Sequence, residues 1–364
     1  MTKPTSLDEA RSRIDVLDEQ LQSLISERAA IAQQVARIKA AAGEGKDCYR
    51  PSREAEVLRR VRDRNSGPLT ADEMVRVMRE IMSACLSLES PLEVAYLGPE
   101  GTFTQAAVLK HFGKAVHPRP LAAINEIFRD VEAGNADYGV VPVENSTEGV
   151  VNHTLDMFTT SSLLICGEVS LPVHHHLLSA GEDLSAVKEV FAHSQSFAQC
   201  RQWLDRKLPH AIRNIVSSNG EGARLAAEHG VGTAAIAGKP AAECYGLKIL
   251  NANIEDEPDN TTRFLVIGRQ LVPPTGNDMT TILLRLTFDN RPGALFELLR
   301  PFSEAGVNLT RIESRPSRLA NWDYNFFIDL AGHAEDPPIK QVLADMQSTA
   351  AFYKFLGSYP RAVT

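Results

Sequence analysis

A seven-residue apolar repeat near the start of the chain constrains its fold more than any other feature. Leu7, Ile14, Leu21 and Val35 recur at heptad spacing, as do Leu17, Leu24, Ile31 and Ile38. Residues a heptad apart lie nearly above one another on a helix, so each series traces one stripe. Ser6 followed by Glu9 is a start signal, a capping box, and Gly43 is a stop. A helix of about 35 residues is roughly 50 Å long. One small domain cannot bury that length, so the pattern predicts packing against a second chain.

Charge interrupts the repeat. Arg28 takes a position of the first series, and Lys39 follows it by about three turns on the same face. Arg11 precedes Lys39 by four heptads. An ion pair between helices explains a lone arginine in such a seam. Three cations point instead to an anion site between helices, suited to a dicarboxylate. A second helix is expected from about Ser52 to Arg64, ending at Gly67-Pro68. A third opens with the capping box Thr70 to Glu73 and carries Met74, Val77, Ile81, Cys85 and Leu88 on one face.

Ala10-Arg11-Ser12-Arg13-Ile14-Asp15-Val16-Leu17-Asp18, Glu27-Arg28, Ile38-Lys39 and Arg53-Glu54 together resemble the helical chorismate mutase family over about residues 6 to 89. The resemblance implies an all-α dimer with two active sites, Arg11 reaching into the other subunit's site, and rearrangement of chorismate to prephenate. Such a pericyclic step needs a folded substrate and charge stabilisation on the breaking ether oxygen, but no nucleophile. Arg11 and Arg28 then clamp carboxylates, Lys39 donates to the ether oxygen, and Glu54 holds the ring hydroxyl. Arg50, Arg53 and Cys85 complete the substrate's surroundings. The chain departs from the family in three places: Arg50 stands where an acidic residue is usual, and Cys85 and Glu89 stand where Ser and Gln are usual. An ionised Glu89 cannot donate to the ether oxygen.

After Ser90-Pro91 the texture becomes α/β. Strands are expected at 94–97, 138–143, 190–192, 212–216, 233–236 and 264–267, with helices near 104–112 and 149–158. The β-rich stretch from Leu163 to Leu178 suits a crossover between two lobes. Two runs join a strand end to a helix start, where α/β sheets bind ligands: Gly98-Pro99-Glu100-Gly101-Thr102-Phe103 and Glu144-Asn145-Ser146-Thr147-Glu148-Gly149. With Tyr96-Leu97, Pro142-Val143, His193-Ser194-Gln195 and Asn260-Thr261-Thr262-Arg263-Phe264 they resemble prephenate dehydratase over about residues 93 to 270.

That resemblance implies a two-lobed α/β domain similar to periplasmic binding proteins. It also implies conversion of prephenate to phenylpyruvate, carbon dioxide and water. The ring loses hydroxide and carboxylate together, so the site needs a proton donor and a dry setting. Thr262 is the candidate donor and Phe264 the candidate screen. Glu144, Asn145 and Gln195 are candidates to position Thr262 or the substrate, with Thr102, Ser146 and Ser194 as further binding groups. Arg263 either serves a substrate carboxylate or pairs within the fold. His174-His175-His176 lacks a partner at metal spacing, so structural or substrate-lining roles are expected, with no metal and no cofactor.

A second linker, Val272-Pro273-Pro274-Thr275-Gly276, precedes the order strand (280–288), helix (294–305), strand (307–314), strand (322–330), helix (338–348), strand (352–356). This is the ferredoxin-like arrangement. Arg291-Pro292-Gly293-Ala294-Leu295 and Asn308-Leu309-Thr310-Arg311-Ile312-Glu313-Ser314-Arg315-Pro316 resemble the ACT domain of phenylalanine-regulated enzymes. The resemblance implies L-phenylalanine as effector, held between two such domains by groups near Gly293, Ala294, Leu295, Asn308, Leu309 and Glu313.

The expected chain is therefore multidomain: an all-α helical domain (1–90), a two-lobed α/β domain (93–270) and an α+β ferredoxin-like ACT domain (279–364). Net charge is −8 over 364 residues, and residues 1 to 90 hold 15 basic and 15 acidic groups. That balance argues against a nucleic-acid partner and against an amino-acid-responsive regulator with a DNA-reading head. No apolar run reaches a membrane span, no signal peptide is evident, and five cysteines without a CxxC pair suit a reducing cytoplasm. A dehydratase whose helical region serves only as a dimerisation arm remains the alternative.

Overall fold

The structure, a computed structural model, describes residues 6–42, 49–285, 292–317 and 323–363. Gly43 and Arg291, invoked above, lie outside them, as do Cys48 and the expected strand ends at 286–288 and 322. The chain forms two compact units. No described helix is long and apolar enough to cross a membrane, and the four described cysteines are unpaired.

The first unit takes in residues up to Arg50, Leu58–Leu92 and Phe112–Val116. Helix α1 (Leu7–Ala41) runs unbroken for 35 residues, and its N-cap Ser6 hydroxyl accepts from the Glu9 amide at 3.1 Å. Helix α2 (Pro51–Arg64), whose first turns belong to the second unit, starts on a proline whose fixed φ suits that position. Helix α3 (Ala71–Ser87) has the full capping box. Thr70 Oγ1 accepts from the Glu73 amide at 3.2 Å, and the Glu73 carboxylate accepts from the Thr70 amide at 3.0 Å.

The expected apolar face of α3 needs correction. Cys85 is buried as expected, but Val77 and Leu88 are exposed, and Val75 and Ser83 are buried in their place. The cause is the segment Phe112–Val116, which closes on Ser83. The Ala115 amide donates to Ser83 Oγ at 3.2 Å, and a Cβ on Gly113 would meet Ser83 Cβ at 2.5 Å.

Among the described residues α1 buries none of its own. Leu7, Leu24 and Ile38 are 66%, 62% and 68% exposed, so the heptad stripes find no cover among the described residues. Apart from Ala10, only Arg28, Ala29, Ala32, Ala36 and Lys39 are half-buried. The described residues thus cover the small, cationic face of α1 and leave its large aliphatic face open.

The second unit holds three sheets. Its elements run β1 (Glu93–Leu97), α4 (Phe103–Phe112), β2 (His117–Leu121), α5 (Ile124–Ala133), β3 (Tyr138–Asn145), β4 (Gly149–Val150), α6 (Asn152–Thr160) and β5 (Leu164–Pro172). Next come β6 (His176–Ser179), β7 (Glu189–Ala192), α7 (Ser194–Gln199), α8 (Arg201–Lys207), β8 (Ile212–Ile215), α9 (Asn219–His229), β9 (Thr233–Ala237), α10 (Lys239–Tyr245), β10 (Lys248–Asn251) and β11 (Thr261–Gly268). The last part is β12 (Asp278–Arg285), α11 (Ala294–Glu304), β13 (Leu309–Pro316), β14 (Tyr324–Ala331), α12 (Pro337–Thr349) and β15 (Phe352–Pro360). Where a helix was expected from Gly149, residues 149–150 instead pair with β3 as a short strand, and the helix starts at Asn152.

The first sheet has order β2-β1-β3-β11-β5, and the second β10-β6-β9-β7-β8. The expected crossover is present: β5 lies in the first sheet and β6 in the second, while the chain returns from β10 to β11. β11 then runs antiparallel between β3 and β5. That return delivers Asn260 and Thr262 beside the carboxyl end of β3, where α/β sheets bind ligands.

The third sheet has order β13-β14-β12-β15, the ferredoxin-like arrangement. One face packs Ile282, Leu284, Ile328 and Leu330 under α11 and α12. The other face puts Met279, Leu283, Phe327, Leu356 and Tyr359 into the same core as Phe158, Leu163, Ile165 and Leu265 of the first lobe. A Cβ on Gly357 would lie 2.4 Å from the Ile165 carbonyl oxygen, so β15 meets β5 at backbone distance.

Candidate active sites

In the first unit, Arg28 and Lys39 share the half-buried face of α1. Lys39 Nζ lies 4.0 Å from Glu89 Oε2, with the two side chains 18% and 8% exposed. Glu89 Oε2 is buried and has no hydrogen-bond partner among the described residues. Buried Cys85 precedes Glu89 by one helical turn. Arg11 is exposed and lies 17 residues before Arg28, about 25 Å along the axis, so a single chain does not bring it to the other two cations. Arg50 is the extended N-cap of α2. On α2 itself Glu54 is half-buried, and the exposed Arg53 pairs along its own helix with Glu56 at 2.5 Å.

In the second unit the candidate residues gather around one amide. Asn145 ends β3 directly opposite Thr262 on β11. Asn145 Oδ1 accepts from the amides of Thr147 and Glu148, both at 3.0 Å. Backbone amides only donate, so this fixes which way the side chain points. Its Nδ2 then donates to Asn260 Oδ1 at 2.7 Å and to Thr262 Oγ1 at 2.8 Å. With its oxygen already accepting, the 9%-exposed Thr262 keeps its own proton to donate elsewhere. Phe264 is sealed in the core at 1% exposure, so it walls the site without offering open surface.

The second lobe contributes glutamines. On α7, Gln195 Nε2 reaches Glu148 Oε2 at 3.5 Å and Gln199 Nε2 reaches Glu148 Oε1 at 3.1 Å. Gln199 Oε1 in turn accepts from Asn260 Nδ2 at 3.3 Å and from His175 Nε2 at 2.8 Å. Burial holds the His175 imidazole below the usual histidine range, which keeps it neutral, and its Nδ1 has no partner among the described residues. Residue types alone did not select Glu148, Gln199, Asn260 and His175. The available signals were the second acid of the polar run, a glutamine one turn after Gln195, the residue opening the Asn-Thr-Thr-Arg-Phe run, and the middle histidine of three.

Other expected binding groups are committed to the scaffold. The Thr102 hydroxyl faces the carbonyls of Leu97 and Pro99 at 3.1 and 3.0 Å, so its proton shapes the turn. Ser146 Oγ accepts from the Thr261 amide at 2.9 Å, tying the polar turn to β11. Ser194 is exposed at the first position of α7. Arg263 pairs within the fold: Nη1 with Asp329 at 2.6 Å, Nε with Glu168 at 3.0 Å and Nη2 with the Tyr359 hydroxyl at 3.0 Å. Glu144 lies 3.0 Å from Arg311 of β13. In the histidine triplet, His174 Nδ1 meets Glu255 at 2.8 Å, and His176 Nδ1 accepts from the Asn253 amide at 3.0 Å.

In the ferredoxin-like part, Gly293 is the left-handed N-cap of α11 (φ 89°), and Leu295 beside it is 44% exposed. Asn308 follows the other end of that helix. Eleven residues of helix separate them by about 16 Å, so Gly293, Ala294 and Leu295 do not meet Asn308 and Leu309 within one chain. Glu313 is half-buried on β13.

A helical module with a cationic face, a two-lobed α/β cleft holding a poised hydroxyl, and a ferredoxin-like module define a multifunctional enzyme with a sensor attached. Three family models match the chain: chorismate mutase type II over residues 10–90, prephenate dehydratase over 94–271 and the ACT domain over 282–346. The chain is 55% identical over its full length to the full-length bifunctional chorismate mutase/prephenate dehydratases of Stutzerimonas stutzeri and Pseudomonas aeruginosa. A solved prephenate dehydratase from Arthrobacter aurescens in complex with L-Phe is 39% identical, with a TM-score of 0.69. The match covers 74% of this chain and 90% of that one. This chain belongs to the bifunctional chorismate mutase/prephenate dehydratase family.

Proposed function

We propose that the protein rearranges chorismate to prephenate in its helical domain (1–90) and converts prephenate to phenylpyruvate in the two-lobed domain (93–270). L-Phenylalanine acts through the ACT domain (279–364). The bond from Asn145 to Thr262 carries the dehydratase reading, because it leaves a hydroxyl proton free beside a polar turn between two lobes. Thr262 gives its proton to the leaving hydroxyl as the ring carboxylate departs, and aromatisation drives both cleavages. A threonine hydroxyl is a weak acid, so proton transfer and C–C cleavage are concerted. Asn145 and Gln195 hold the two sides of the site, and Glu144 orients the substrate or Thr262.

In the mutase site Arg28 clamps a carboxylate, Lys39 donates to the ether oxygen, and Arg11 arrives from a second copy of the chain. The uncovered aliphatic face of α1 supports a homodimer. Glu54 holds the ring hydroxyl, and Glu89 stands beside Lys39. The family's biosynthetic role and the unpaired cysteines suit the cytoplasm. The deciding experiment supplies purified protein with chorismate and follows prephenate and phenylpyruvate. Appearance of both supports the reading. Turnover of added prephenate without any turnover of chorismate would reduce the helical region to a dimerisation arm.

A further inference from the structure

β13 is an edge strand of the third sheet, and its side chains alternate. Arg311, Glu313 and Arg315 are half-buried, while Thr310, Ile312 and Ser314 are exposed. Two of the half-buried residues reach into the dehydratase lobe. Arg311 Nε lies 3.0 Å from Glu144 Oε2, with the side chains 12% and 38% exposed. Arg315 Nη2 meets both Asp156 oxygens on α6, at 3.1 and 3.3 Å. Glu144 immediately precedes Asn145, the residue that holds Thr262.

Arg311 also faces a second acid. Its Nη2 lies 3.8 Å from Glu313 Oε2, beyond hydrogen-bond reach, and is buried without a hydrogen-bond partner among the described residues. One guanidinium therefore stands between a carboxylate of the dehydratase turn and a carboxylate of the strand expected to bind the effector. The nearer pair is closed and the farther one is open.

We propose that Arg311 is a positioning residue for the dehydratase, holding Glu144 from the ACT domain and coupling its placement to the charge around Glu313. The inference rests on the reading of the cleft given above. An amino-acid ligand carries a carboxylate. Brought near β13, it accepts from the unpartnered Nη2 of Arg311 and draws the guanidinium away from Glu144. Glu144 then loses the hold that places it, so the effector lowers turnover as removal of the guanidinium does.

The test uses the full-length protein with Arg311→Met, Arg311→Lys and Arg315→Met. It measures kcat and KM for prephenate with and without L-phenylalanine, and follows effector binding separately by thermal shift. Arg311→Met should lower kcat about 10-fold with KM within about threefold, and should keep the thermal shift while losing most of the inhibition. Arg311→Lys keeps the charge and should recover most of both. Arg315→Met breaks the neighbouring tie and should leave kcat within about twofold. Normal kcat and normal inhibition in Arg311→Met overturn the inference, and so does an equal loss in Arg315→Met, which would mean general loosening of the strand. A wild-type protein that does not turn over prephenate overturns the reading of the cleft itself, and this inference with it.

Discussion

Asn145 serves two purposes with one side chain: its oxygen closes the 147–148 turn and its nitrogen fixes Thr262. Thr262→Val keeps the shape and removes the proton. Dehydratase kcat should fall by about 10²-fold or more, with KM little changed. Steady-state kinetics decide this, and near-normal turnover would take Thr262 out of the mechanism. His175 gives a pH prediction. Burial depresses its folded-state value, so between that value and about 6.5 the unfolded chain binds more protons than the native one. Stability from this residue is therefore present above about pH 6.5 and is lost as pH falls through the depressed value. Melting temperature should drop from pH 7 towards pH 5, and His175→Gln, which keeps a donor for Gln199, should flatten that drop. In the helical domain, Glu89→Gln supplies a permanent donor beside Lys39 and should raise mutase kcat/KM at neutral pH by about 10-fold. An unchanged value would move Glu89 away from the ether oxygen. Thr262, Asn145 and Gln195 were readable as residue types in motifs. Glu148, Gln199 and His175 were not, because they become neighbours only when the chain crosses between lobes and back.

Among the elements, α1 was the most readable, since its period and cap agree over ten turns. The ferredoxin-like order was equally plain. The short helices α7, α8 and α10 were hidden by brevity, and β2 by Pro118 and Pro120. Those prolines are tolerated because β2 is the edge of its sheet and presents no ladder to a further strand. The face of α3 was misread because the segment that covers it, Phe112–Val116, comes from beyond the helical region. The open face of α1 leads to a mixing experiment. Arg11→Ala and Arg28→Ala should each lower mutase activity about 10²-fold or more. If Arg11 serves the other subunit, equal mixtures allowed to exchange should recover about a quarter of wild-type activity, since a twofold heterodimer keeps one intact site. No recovery would place both arginines in one chain's own site.

At the scale of the whole molecule, the dehydratase lobe and the ACT sheet share a core, so the ACT domain is not a detachable appendage. Removing residues 279–364 would expose Phe158, Leu163 and Ile165, and calorimetry should show the remaining dehydratase melting lower by about 10 °C or more. Unchanged melting would mean that this shared core adds little. In the intact protein, millimolar L-phenylalanine should raise the melting temperature by mass action while lowering dehydratase activity. The exposed aliphatic stripe of α1 has one more consequence. The residues around Thr262 come from one chain, whereas the helical site as proposed takes an arginine from another. On serial dilution, turnover of prephenate per chain should therefore stay constant while turnover of chorismate per chain declines. The ratio of the two rates becomes a gauge of how much enzyme is present, and a sparsely expressed enzyme would still consume prephenate while making little of it.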